Sequence, residues 1–183
     1  MRWTHVNPLG RWLFSALLLI ILAVLAALPA QALPEDRDLP ITIDADEGTF
    51  RSRSGEASFQ GNVYLRQGTL EVWADSLEIR RDPETGALQY LEARGQPARY
   101  QELPSVDGEL IQVRGLRIEY LPAEDIIVTE GQGELEQANN RISAEFIRYH
   151  LLDETLEVRS RRSTQADQDA PQATWVIQPR ELD

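Results

Sequence analysis

Four stretches of the chain repeat one order of apolar and polar positions: ITIDADEGTF (41–50), VWADSLEI (72–79), IQVRGLRIEY (111–120) and RISAEFIRYH (141–150). Aligned on Ala45, Ala74, Val113 and Ala144, each copy leads in with alternating apolar residues: Ile41 and Ile43, Leu70 and Val72, Ile111, and Ile142. A period of two puts those side chains on one face of a half-buried β-strand. A charged residue follows the aligned one (Asp46, Asp75, Arg114, Glu145), and beyond it the parity reverses. Leu77 and Ile79, Leu116 and Ile118, Ile147 and Tyr149 all fall where an unbroken strand would turn them outward. One inserted residue, a β-bulge or corner, returns them to the inner face.

The turn signals RSRSGE (51–56), RDPETG (81–86), LPAED (121–125) and LLDET (151–155) join each copy to a second strand. Those strands read 57–65, 90–100, 125–135 and 156–160, and three of them carry a central glycine, Gly61, Gly95 and Gly131, spaced 34 and 36 apart. Glycine inside a strand marks a bulge or a close backbone approach. After residue 32 no segment keeps a helical period over three turns, so the expected class is all-β with short antiparallel strands. A sandwich, a jelly roll and a solenoid all satisfy that pattern.

The first 32 residues differ in kind. Arg2 and Arg11 precede the apolar run 13–30, and Ala30-Gln31-Ala32 is a small-x-small cleavage site, the arrangement of a secretory signal peptide. The expected organisation is a signal peptide at 1–32, the β-domain at 33–160, a polar linker at 161–172, and a last edge strand with the tail at 173–183. Removing 32 residues leaves 151, enough for one domain with a core. The chain has no cysteine, so it closes without disulfides or thiolate metal sites. It also has no lysine: the exported part sets 16 arginines against 30 acids, a formal charge of −14. That balance lacks the basic footprint of nucleic-acid binding.

Catalytic chemistry finds few candidates. His150 is the sole histidine beyond the signal, and the most pointed carboxylate pair, Asp44 and Asp46, reads as the solvent side of a strand whose Ile41, Ile43 and Ala45 face inward. The recurrent acid of the copies reads as a corner residue accepting backbone N–H bonds. The inward set is the more informative: Ile41, Ile43, Phe50, Phe59, Val63, Leu65, Leu70, Val72, Leu77, Ile79, Tyr100, Ile111, Leu116, Ile118, Leu135, Ile142 and Ile147. Two sheet faces this apolar either meet in a filled core, the reading the pattern alone favours, or stand apart around something apolar.

DLPITIDADEG (38–48), GNVYLRQGTLEVWADSLEI (61–79), GQPARYQ (95–101), IEY (118–120) and VIQPR (176–180), in that order and spacing, resemble the OstA-like family of periplasmic lipopolysaccharide transport proteins. The resemblance implies a β-jelly roll of about sixteen antiparallel strands folded as a twisted V, and a groove that carries the lipid A of lipopolysaccharide. It further implies head-to-tail stacking with copies and with the periplasmic domains of LptC and LptD, residence in the periplasm, no cofactor and no catalysis. Family lipid contacts carry over by motif to Ile41, Ile43 and Tyr100. Phe50, Phe59, Val63, Leu70, Val72, Leu77, Ile79, Ile118 and Ile142 complete the expected lining. The lysine-rich tail frequent in the family is missing, since this chain ends RELD. Two alternatives stand beside this reading: an LptC-like subunit that keeps 13–30 as an anchor, and a carbohydrate-binding β-solenoid. The second needs outer-face aromatic platforms, which the sequence does not display.

Overall fold

A computed structural model describes residues 36–105, 108–160 and 172–177. The chain divides into two units, Met1–Leu33 and Pro34–Asp183, and the described residues all belong to the second. The signal peptide and most of the 161–172 linker lie outside the described residues. Ten antiparallel strands form one sheet: β1 (Thr42–Asp44), β2 (Glu47–Arg51), β3 (Glu56–Gln67), β4 (Leu70–Arg81), β5 (Leu88–Glu102), β6 (Ile111–Leu121), β7 (Ile126–Gln137), β8 (Asn140–His150), β9 (Thr155–Arg159) and β10 (Thr174–Val176). β3 to β8 pair in sequence order. β1 and β2 both pair with β3 at one end of the sheet, and β9 and β10 both pair with β8 at the other. The only helical turn among the described residues is a 3-10 turn at Asp36–Asp38.

Each ladder between the long strands shifts register near its middle, and the β4–β5 ladder shifts once more at its end, between Arg80 and Arg81. Gly61 and Asn62, with φ of 76° and 48°, stand opposite the single Asp75; Gly131 and Gln132, at 73° and 54°, stand opposite the single Glu145. Two residues against one is a bulge, and the left-handed backbone it demands favours glycine. On β5 the three residues Gly95, Gln96 and Pro97 face Leu116 alone, and there Pro97 deprives the ladder of no donor it needs. The bulges line up across the sheet and bend it into two half-sheets. Ten strands stand among the described residues where about sixteen short ones were expected, because each of the six long strands runs through its irregularity as one element.

The register corrects the alignment of the third copy. Ala74 pairs with Val63, Ala144 with Gly133, and the residue in the same place on β6 is Gly115, paired with Ala98. Gly115, not Val113, is therefore the corner residue, and Leu116 takes the place of the recurrent acid. Leu116 is 41% exposed, against the expectation that it points inward. Gly115 is small for a reason: a Cβ there would lie 2.0 Å from the Thr129 hydroxyl. That buried hydroxyl sits 3.2 Å from the carbonyls of both Arg114 and Arg117, which flank the bulge.

Candidate functional site: the inner face of the sheet

Directly paired residues share a face, so the register writes out the inner surface row by row. In the half-sheet bearing β1 and β10, one row runs Ile43, Leu65, Val72, Tyr100, Val113, Leu135, Ile142, Trp175. In the half bearing β2 and β9, one row runs Phe50, Ala57, Ile79, Leu91, Tyr120, Ile127, Tyr149, Leu156, and the next runs Gly48, Phe59, Leu77, Ala93, Ile118, Thr129, Ile147, Val158. Apart from the tyrosine hydroxyls and the Trp175 indole, Thr129 is the one polar side chain in these rows, and its bulge carbonyls account for it.

The two inner faces meet. The rings of Tyr100 and Tyr120, one from each half, pack edge to face with centroids 5.5 Å apart, and the buried residues of both halves form a single cluster. Val72 and Ile118 are wholly covered. Cover thins toward the sheet ends, beyond which the described residues supply no further strand: Ile41, Ile43 and Phe59 are partly buried, Phe50 is 57% exposed, and Trp175 is 50% exposed. Of the expected lining, Val63, Leu70, Val72, Leu77, Ile79, Tyr100, Ile118 and Ile142 are buried together in this interior. Phe50 lies on the inner row, as expected of a lining residue, and is uncovered because it ends that row on an edge strand. Leu65, Leu91, Val113, Tyr120, Ile127 and Tyr149 also belong to the rows and were absent from the expected lining. The period-two pattern of YLEA (90–93) and the corrected offset of Tyr120 from Gly115 were signals that could have found some of them.

Opposite the bend, the limb ends are joined by polar groups. Thr69 donates its backbone N–H to Asp36 at 2.7 Å, and buried Gln67 donates to the carbonyls of Arg37 and Leu39 at 2.8 and 2.9 Å. From the same 3-10 turn, Arg37 reaches across to the other half, donating to the Pro122 carbonyl at 3.1 Å and to the Asp125 carboxylate. A second link is the Tyr149 hydroxyl donating to Gln137 at 2.8 Å. Under the turn lies a cavity of about 290 Å³, walled by residues that include Leu70, Ala87, Leu88 and Pro122 with Glu102 and Tyr120. Burial pushes the Glu102 carboxyl above its ordinary value, although Tyr100 donates to it and Arg37 is near.

The outer face is charged. Arg117 joins Glu92, Glu119 and Glu130; burial works to raise Glu92, but hydrogen bonds from Arg117, Tyr90 and Arg94 outweigh it and hold the carboxyl low. Asp44 and Asp46 are exposed, and Asp46 accepts from the side-chain amide of Asn62 at 2.8 Å, a side-chain partner where a backbone N–H was expected. The outer face does hold an aromatic pair that the sequence reading missed: Tyr64 and Trp73, 5.4 Å apart, with Arg99 over Trp73. These residues are register neighbours on β3, β4 and β5, which explains the cluster as cross-strand packing.

Residues 42–155 match the family model described as LptA/(LptD N-terminal domain) LPS transport protein. The chain belongs to this family. It is 27% identical over 158 residues to the lipopolysaccharide export system protein LptH of Pseudomonas aeruginosa, covering 86% of this chain and 90% of that protein. It is 25% identical over 157 residues to the lipopolysaccharide export system protein LptA of Escherichia coli K12, covering 86% of this chain and 80% of the other. The crystal structure of the Pseudomonas aeruginosa LptH, described as the LptA-homologous periplasmic component of the lipopolysaccharide transport device, superposes with a TM-score of 0.67 at 25% identity. The match covers 80% of this chain and all of that one. The open antiparallel sheet with one bend per strand is thus the family fold.

Proposed function

We propose that the protein is a periplasmic carrier of lipopolysaccharide, with lipid A acyl chains held between the two inner faces and passed along the rows from one end of the sheet to the other. The observation that carries this reading is an apolar inner face that is continuous across every strand and uncovered at both ends. Through the middle the two halves touch by apolar side chains, so acyl chains that part them exchange one aliphatic contact for another, and each methylene kept from water is worth about 0.8 kcal/mol. The ladder hydrogen bonds run within each half and survive that parting. Such contacts are non-directional, as suits a cargo that has to move on.

The uncovered ends also suit stacking. Both ends combine an apolar row end, Phe50 or Trp175, with strands whose outer backbone groups meet no pairing strand among the described residues. Unlike ends that pair head to tail build open rows, here with further copies and with the periplasmic domains of LptC and LptD. The working protein is expected to start at Leu33 after export.

The test is a photo-crosslinking residue at position 43 in living cells, with lipopolysaccharide detected on the protein. A crosslinked adduct supports the carrier reading; a folded, exported protein with no adduct from position 43 or from position 142 overturns it.

A further inference from the structure

The cavity under the Asp36–Asp38 turn holds an unexplained group. Tyr120 is 1% exposed, and its hydroxyl has no hydrogen-bond partner among the described residues. Arg37, which donates to Pro122 and Asp125, also turns N–H groups toward the Tyr120 oxygen short of hydrogen-bond geometry, but a guanidinium offers no acceptor for the hydroxyl proton. The neighbouring Tyr100 hydroxyl is already committed to Glu102. An orphaned buried hydroxyl forfeits hydrogen bonds it had in water, so it implies a partner. Burial keeps this phenol protonated, hence able to donate. Leu70 from one half and Leu88, Ala87 and Pro122 from the other give it an aliphatic wall, and polar side chains, among them Gln67, Asp82 and Gln89, complete the lining. A volume of about 290 Å³ is at the lower end for small-molecule sites and fits one chain, not several.

We infer that this cavity is a seat for a single aliphatic chain bearing a hydrogen-bond acceptor, which the Tyr120 hydroxyl engages while the Asp36–Asp38 turn acts as its lid. The inference rests on the lipid-carrier reading and narrows it to one place and one polar contact. The lid is tied to each half at few points, Gln67 and Thr69 on one side and Pro122 and Asp125 on the other, so it can open without disturbing a strand. An ester or amide carbonyl meets the requirement; an ether oxygen, a poorer acceptor, meets it weakly. The rival occupant is water, which would satisfy the hydroxyl equally and leave no preference for a chain.

The experiment is an NMR amide-shift titration of the protein with two soluble amphiphiles, an octanoyl ester of glucose and octyl glucoside, which differ in the carbonyl. Binding of the ester is expected to shift the amides of Leu70, Leu88 and Tyr120. Tyr120→Phe should weaken the ester about fivefold, the worth of one hydrogen bond, while changing the ether by less than about twofold. Ala87→Trp, at an exposed position on the cavity wall, should abolish both sets of shifts. Shifts that map elsewhere, or an ester affinity unchanged by Tyr120→Phe, overturn the seat. Lipopolysaccharide crosslinked at position 43 together with that negative result removes the seat and leaves the carrier; no crosslinking at 43 or 142 removes the carrier itself.

Discussion

Single side chains in this protein separate by where their row ends. Ile118 is wholly covered by the opposite half, so Ile118→Ala should cost about 2–4 kcal/mol in urea unfolding, the transfer loss plus the cavity left behind. Phe50 has the same inward direction but no described strand beyond it, and Phe50→Ala should stay within about 0.5 kcal/mol. Glu102 gives a pH signature of known sign. Its folded pKa is raised above the ordinary 4.5, so the folded state binds the proton more tightly, and stability falls as pH rises from about 4.5 through the higher folded value. Glu102→Gln should flatten that decline and make the protein more stable at pH 7 than the parent; thermal unfolding at pH 4 and pH 7 measures both.

At the scale of the element, the bend is what needs particular residues. Gly131 has a φ of 73°, and a Cβ there would lie 2.9 Å from the Leu116 side chain. Gly131→Val combines left-handed strain with a clash and should destabilise by at least about 2 kcal/mol. Thr129→Val removes the hydroxyl from the Arg114 and Arg117 carbonyls at the β6 bulge and should cost about 1–2 kcal/mol, with the secondary structure by circular dichroism unchanged. A Thr129→Val protein as stable as the parent would mean that solvent reaches those carbonyls.

At the largest scale, the described residues form a sheet whose inner surface is finished in the middle and unfinished at both ends. On the proposed carrier reading, a carboxylate at Ile43 would stand in the lipid path, where a charge among acyl chains is strongly unfavourable. Ile43→Glu should therefore give folded protein with little lipopolysaccharide crosslinking from position 142. Charges at the two row ends test stacking: Phe50→Glu and Trp175→Glu are on exposed side chains, so the fold should persist while the concentration-dependent rise of mass in light scattering disappears. A parent protein that remains one species at every concentration would remove head-to-tail assembly from the mechanism.

Alternation by itself determined the long strands, most of their inward residues and the presence of a corner in each copy, because side-chain direction in a strand is a local matter with a period of two. Glycines at 61, 95 and 131 marked the bend for the same local reason: a positive φ or a crowded backbone costs glycine least. The corner of the third copy was misplaced by two residues, since Ile111, Val113, Gly115 and Ile118, Tyr120 satisfy the alternation with the break at either point, and only pairing with Ala98 and Glu134 on the neighbouring strands chooses Gly115 and Leu116. Whether the two apolar faces touch was equally beyond a local pattern. That depends on the angle at the bend and on links between residues 85 to 88 positions apart, such as Arg37 to Pro122 and Asp125. The orphaned Tyr120 hydroxyl belongs to the same class. An inward tyrosine is legible along the chain, but the lack of a partner at its tip is a property of everything folded around it.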